Sequence, residues 1–185
     1  MIYVFLADGF EVTEALTTVD ILRRGNLNVK TVAVGAEGLE VMSSHNVTVV
    51  ADFNEKDITK ENLEGVILPG GMPGTLNLER SDIVKEYVNY CVENDLILGA
   101  ICAAPSVLGK MGILNGKKAT CFPGFEEYLE NAKFTGDFAV TDGKVVTAKG
   151  MGATIPFGLQ LLKLFKDEET ANTVHGALQC PYNYV

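Results

Sequence analysis

Residues 94–109, NDLILGAICAAPSVLG, constrain the fold more than any other stretch. The apolar run Leu96, Ile97, Leu98, Gly99, Ala100, Ile101 is too short and too β-prone for a helix. It ends at Cys102, and residues that tolerate a helix begin at once, with Pro105 in the first turn, where a missing N–H costs nothing. This reads as buried strand, tight turn, helix. Ala100 and Ala104, two positions either side of Cys102, leave the steric room that a strand-to-helix elbow needs if it is to hold a side chain up and out.

The remainder of the chain repeats this strand-helix theme. Residues 2–7 form an apolar run, a helical pattern follows with Val12, Ala15, Leu16, Val19 and Leu22 on one face before Gly25, and residues 29–34 supply the next strand. Such a unit requires a right-handed crossover and parallel pairing. Residues 39–53 depart from the theme with two β-prone runs around Ser44, His45 and Asn46, which predict a hairpin or a pair of short strands. The rhythm returns with a strand at 65–69, the glycine-rich loop PGGMPGT, and a helix over about 81–94 carrying Ile83, Val84, Tyr87, Val88, Cys91 and Val92. After the elbow come a strand at 118–122, a short helix in PGFEEYLENA, and a hairpin at Asp142-Gly143. Two closing helices follow at 155–165 and 168–178, with Asp167 as N-cap between them. The pattern is predominantly parallel α/β, and 185 residues suit one domain with a sizeable core.

Charge narrows the partners. A net charge of −9 without clustered Lys and Arg argues against nucleic acid or an anionic membrane as partner. No apolar run approaches the roughly 20 residues needed to span a bilayer. The opening MIYVFLADGF lacks the basic start and small-residue cleavage site of a secretory signal, so a cytoplasmic location is expected. Cys91, Cys102, Cys121 and Cys180 are widely spaced, without a CxxC or a Cys-His cluster, which argues for free thiols and against a metal site.

In open α/β sheets, ligands bind beyond the carboxyl ends of strands, which directs attention to residues 8–14, 69–75, 102–105, 122–127 and 150–154. Cys102 is the cysteine of that set at an elbow. It is either a small buried hydrophobe or, beside a helix N-terminus that lowers its pKa, a reactive thiol. Cys91 continues the core stripe of Val84 and Val88 and reads as packing; Cys121, one residue before a strand end, reads as packing or as a neighbour of the site, while Cys180 is expected to be exposed. The PGGMPGT loop lacks the lysine of a phosphate loop; its glycines either bring backbone N–H groups to a ligand or simply allow flexibility. Glu11 and Glu14 open the first helix, where carboxylates balance its dipole. At about 100° per residue Glu14 points away from the Val12, Leu16, Val19 stripe, a face that a partner subunit could cover. His45 and His175 are both expected at the surface.

The segments DGFEVTEALTTVDILRRG, GVILPGG, LILGAICAAPSVL, TCFPGFEEYL and VVTAKGMGATIPFGLQLL, in this order, resemble the ThiJ/PfpI superfamily, and within it the branch of Parkinson disease protein seven. The resemblance implies one ThiJ/PfpI-like (class I glutamine amidotransferase-like) domain over residues 1–185. Its fold would be a flavodoxin-like three-layer sandwich with β-hairpin insertions, usually dimeric. It also implies a strained cysteine at Cys102, a protonated Glu14 hydrogen-bonded to the thiolate, and an oxyanion and substrate-binding pocket from the Gly71 and Ala103 amides with Gly70 beside them. No metal or organic cofactor is implied. One departure stands out: many members carry a histidine directly before the proline of the turn after the cysteine, and here Phe122 precedes Pro123. That weakens any Cys-His-acid protease reading. The activity implied is that of a glutathione-independent glyoxalase or deglycase on methylglyoxal, glyoxal or glycated substrates. Cys102 would form a hemithioacetal and Glu14 would move protons. The alternative is a redox-responsive stress protein or chaperone working through oxidation of Cys102.

Overall fold

A computed structural model describes residues 1–180. Seven strands form one sheet in the order β10-β11-β7-β6-β1-β2-β5. The strands are β1 (Ile2–Ala7), β2 (Val29–Val34), β5 (Phe53–Asn54), β6 (Gly65–Leu68), β7 (Ile97–Ile101), β10 (Ala139–Asp142) and β11 (Val145–Ala148). All pairings are parallel except β10 with β11, the hairpin expected at Asp142-Gly143, where Gly143 takes φ 61°. The central order β2-β1-β6-β7-β11 is the flavodoxin-like one.

Period-two alternation sends the side chains of each strand into two cores. Ile2, Val4 and Leu6 of β1 face one core; Tyr3, Phe5 and Ala7 face the other. Helices α1 (Val12–Arg24), α5 (Thr154–Phe165) and α6 (Glu168–Leu178) cover the first core. The second core is covered by α2 (Gly74–Arg80), α3 (Asp82–Glu93) and α4 (Pro105–Lys110). The result is a three-layer sandwich whose strands are buried on both faces, which explains the near-continuous apolar runs in the sequence. Asp167 caps α6 as expected, its Oδ1 accepting the Thr170 N–H at 2.7 Å.

Two strands, β3 (Glu40–Met42) and β4 (Thr48–Val50), make the expected antiparallel hairpin away from the main sheet. Other expectations need correction. The strand expected at 118–122 is only β8 (Lys118–Ala119), paired in parallel with β9 (Lys133–Phe134) in a separate ribbon. The ladder breaks at Thr120, whose N–H is taken by Thr147 Oγ1 at 2.9 Å. The helix expected after it is a single 3₁₀ turn, Glu126–Tyr128. Helix α2 is absent from the sequence reading because Pro73 and Gly74 look like loop punctuation, although a proline is tolerated where a helix begins.

Helix α1 buries Ala15, Val19 and Leu22 of its apolar stripe as expected, but is rolled so that the buried face also takes in Glu14, Thr18 and Ile21. Glu14, Ala15, Thr18, Val19, Ile21 and Leu22 are buried, whereas Leu16 is 37% exposed. The rotation follows from close packing on α5: a Cβ at Gly158 would fall 2.8 Å from Ile21 Cδ1, so the two helix backbones approach where a glycine permits it. Glu14 is therefore buried within its own chain, without help from a partner subunit.

Candidate active site

The sheet changes winding direction between β1 and β6, and the loops leaving β1, β6 and β7 meet there. These loops deliver Glu14, the Gly70-Gly71 pair and Cys102 to one place. Glu11 caps α1, its Oε2 accepting the Glu14 N–H at 2.7 Å, which fixes the helix start and hence the position of Glu14.

Cys102 has φ 64°, in the left-handed region that a non-glycine residue enters at a cost of about 1–3 kcal/mol. Hydrogen bonds on both sides hold it there. Its N–H donates to Ala148 O at the end of β11, and its carbonyl accepts the Phe122 N–H, both at 2.8 Å. The elbow expected from the sequence is present, and the bonds that enforce it come from residues 20 and 46 positions away in the chain.

Gly70 explains itself by what surrounds it. A Cβ there would lie 2.5 Å from Cys102 Cβ and 2.7 Å from Glu14 Oε2. Its N–H donates to Glu14 Oε2 at 2.9 Å, so this amide orients the carboxyl instead of facing an oxyanion. Gly71, at φ 93°, packs so closely on the 9–11 backbone that a Cβ would come within 2.4 Å of Glu11 N. The amides of Gly71 and Ala103 are the two that donate toward the Cys102 sulfur.

Glu14 is 1% exposed, and burial, first, lifts its carboxyl from the ordinary 4.5 to about 7. Hydrogen bonds from Cys102 and Gly70 pull the other way, and Glu11 adds a smaller upward push. Oε1 is buried without a nitrogen or oxygen partner among the described residues, which leaves the Cys102 thiol as the group with which the carboxyl exchanges a proton.

The expectation of a lowered thiol pKa is corrected. Burial, then the charge of Glu14 and the hydrogen bond to it, push Cys102 up to about 12; the Ala103 and Gly71 amides favour the thiolate but do not win. Helix α4 has only six residues and brings little dipole to offset this. The upward shifts of thiol and carboxyl have one physical meaning: the pair retains a proton into the neutral range, as carboxylate with thiol or as carboxylic acid with thiolate. The second arrangement reverses the sign of the neighbour, because a protonated Glu14 donates to sulfur instead of repelling its charge.

The other cysteines separate from Cys102 by burial. Cys91 and Cys121 are fully buried, and burial pushes both thiols up to about 12, as packing residues would be. Cys180, expected in an exposed tail, is half-buried, with Sγ 3.9 Å from Leu178 O. His45 is exposed as expected, whereas His175 is half-buried in α6. No group of three or more His, Cys, Asp or Glu side chains suited to a metal ion comes together among the described residues, and none of their helices is long and apolar enough to cross a membrane.

Phe122 stands beside the site. A Cβ at Gly150 would be 3.3 Å from Phe122 Cδ2 and 4.0 Å from Cys102 Sγ. The sequence flags both loops as strand ends but gives no sign of Phe138, which joins them from the far side of the β10–β11 hairpin in lining an adjacent groove.

Comparison with known proteins agrees with this architecture. Residues 1–164 match the DJ-1/PfpI family. The protein dj-1beta of Drosophila melanogaster is 31% identical over 97% of both chains. A protein of Caenorhabditis elegans named glutathione-independent glyoxalase DJR-1.2 is 29% identical over 89% of this chain and 87% of that one. Against DJ-1 homologs B and A of Arabidopsis thaliana the identities are 37% and 34% over 94% of this chain, which spans only 40% and 45% of those longer proteins. Among solved structures, Toxoplasma gondii DJ-1 in an oxidised form superposes with a TM-score of 0.93 at 28% identity over 98% of both chains. A DJ-1 superfamily protein of Salmonella typhimurium superposes with 0.91 at 31% identity, also over 98% of both. The chain belongs to the DJ-1/PfpI family.

Proposed function

We propose that this chain is a cysteine-dependent, glutathione-independent glyoxalase acting on 2-oxoaldehydes such as methylglyoxal and glyoxal. One observation carries the reading: a buried carboxyl raised to about 7 lies against a strained thiol, and two backbone amides donate to that sulfur. A general base poised near the working pH is what proton transfer in a neutral cytosol requires. The name of the Caenorhabditis elegans relative supports the reaction type.

The steps need only these residues and water. Ionised Glu14 takes the Sγ proton as sulfur attacks the aldehyde carbon; the S–C bond forms and the C=O electron pair moves to oxygen, near the Ala103 and Gly71 amides. Glu14 returns that proton to the oxyanion, which gives the hemithioacetal and restores the carboxylate. Glu14 then removes the proton from the former aldehyde carbon, the C–H electron pair forming the C=C bond of an enediolate; the hydroxyl proton passes between the two oxygens, and Glu14 returns its proton to the neighbouring carbon. A thioester of the 2-hydroxy acid results. Water hydrolyses it, releasing lactate or glycolate and restoring the thiol. The same thiol could take the carbonyl carbon of an early glycation adduct, which is the deglycase form of this chemistry. A homodimer in the cytoplasm is the setting proposed for it.

Lactate formation from methylglyoxal by wild type, Cys102→Ser and Glu14→Gln tests the mechanism. Loss of turnover in both variants is expected, and an unchanged rate in either overturns it.

A second reading, peroxide sensing or a chaperone role through Cys102, is favoured by the contrast between this partly buried thiol and the fully buried Cys91 and Cys121. Intact-mass and peptide analysis after mild peroxide should find Cys102 oxidised ahead of the other three; oxidation of Cys180 at the same rate refutes it.

A further inference from the structure

Three large apolar side chains beside the site are left in solvent: Phe122 is 47% exposed, Phe138 63% and Met151 57%. With Pro123 and Gly150 they line an open groove that carries no acidic side chain and a single basic one, Lys149. Lys149 Nζ lies 3.5 Å from Gly136 O, and no carboxylate pairs with it among the described residues.

The groove adjoins the nucleophile through Gly150 and Phe122. Phe122 is tied to the Cys102 turn through its own N–H, 2.8 Å from Cys102 O. Phe138 O accepts the Lys149 N–H at 2.9 Å, which sets the hairpin carrying Phe138 beside the strand that leads into Gly150. At Gly150 the missing side chain keeps the passage open, since a Cβ there would sit between Cys102 Sγ at 4.0 Å and Phe122 Cδ2 at 3.3 Å. A group attached to a carbon that has just bonded to Sγ therefore lies within reach of the Phe122 ring, which with Phe138 lines the groove.

We propose that this groove seats an aromatic group carried by the electrophile that Cys102 attacks, so that the site prefers aryl 2-oxoaldehydes to glyoxal and methylglyoxal. The substrate class rests on the glyoxalase reading; the seat for an aromatic group does not. Two phenyl rings and a thioether are the surfaces against which a planar ring packs best, edge-to-face or against sulfur. A methyl group, or the hydrogen of glyoxal, leaves the same surfaces wet. Were a histidine at 122, the wall nearest the sulfur would be polar; Phe122 makes it apolar.

The experiment compares wild type with Phe138→Ala and Met151→Ala, both exposed positions whose truncation leaves the cores intact. Two ratios are read: kcat/KM for phenylglyoxal over methylglyoxal, and the rate of Cys102 alkylation by N-benzyl iodoacetamide over iodoacetamide, followed by mass. Wild type should favour the ring-bearing reagent in both, and each truncation should lower the preference by about tenfold, the scale of discrimination an apolar pocket provides. Turnover of methylglyoxal with ratios that the truncations leave unchanged overturns the groove and spares the glyoxalase reading. Absence of turnover with either aldehyde, alongside an intact and truncation-sensitive alkylation preference, overturns the glyoxalase reading and supports the groove. A dimer that becomes monomeric in Phe138→Ala by light scattering would place a second copy of the chain over the groove and refute the proposal.

Discussion

Replacing Glu14 by Gln removes one titration and little else. The side chain keeps its size, and its amide oxygen can still accept the Gly70 N–H that Oε2 accepts at 2.9 Å. The wild-type carboxyl rises from 4.5 to about 7 on folding because burial penalises its charge, and at about 1.4 kcal/mol per tenfold change this corresponds to about 3 kcal/mol. The direction follows from linkage. The folded state holds this proton more tightly than the unfolded chain, so the contribution is complete below pH 4.5 and is lost as pH rises through about 7. Wild-type stability, measured relative to Glu14→Gln, should therefore fall by most of about 3 kcal/mol between pH 5 and 8. Urea unfolding at half-unit steps across that range, followed by far-ultraviolet circular dichroism, gives the difference curve, in which titrations common to both proteins cancel. Parallel curves would falsify the assignment of a desolvated, neutral-range carboxyl at position 14, and with it the acid-base role built on that carboxyl.

Three further outcomes follow from the same geometry. Glu14→Gln should lower the Cys102 thiol from about 12, because the carboxylate charge that helps raise it is gone; the pH dependence of iodoacetamide alkylation reads this directly, and an unchanged midpoint contradicts it. Wild-type turnover of methylglyoxal should rise with pH through about 7 as Glu14 ionises to accept the thiol proton, so a rate that is flat from pH 6 to 8 argues against Glu14 as the base. Gly70→Ala puts a methyl group 2.5 Å from Cys102 Cβ and 3.0 Å from Ile101 O, and should cost about 1–3 kcal/mol of stability as overpacking as well as displacing the thiol; a wild-type melting temperature with a wild-type alkylation rate refutes that account.

The winding of the fold was legible because each buried strand is marked twice, by its apolar run and by the glycine, proline or acidic residues that end it. Residues 2–7, ended by Asp8 and Gly9, and 29–34, ended by Gly35, show this, and the Asp142-Gly143 turn places the one antiparallel edge of the main sheet. Elements whose marks conflict were misread. Pro73 and Gly74 disguised the start of α2, and the β-prone stretch after Lys118 loses its ladder where a threonine side chain takes the Thr120 N–H.

For the site, the local sequence determined the elbow at Cys102, because small residues around a cysteine between a strand and a proline-led helix leave few other conformations. The family resemblance added Glu14 as the partner. Only the tertiary structure decided their electrostatics. Whether Glu14 faces water or protein depends on how α1 rolls against α5, a matter of the contact between Ile21 and Gly158, far apart in sequence. That roll buries the carboxyl, and burial in turn raises both it and the thiol, against the downward shift expected from a helix N-terminus alone. Gly150 likewise reaches the cysteine, and Phe138 the groove beside it, through strand pairing. Local propensity acts over a few residues, whereas desolvation sums over every element packed around a group, and no stretch of sequence read by itself contains that sum.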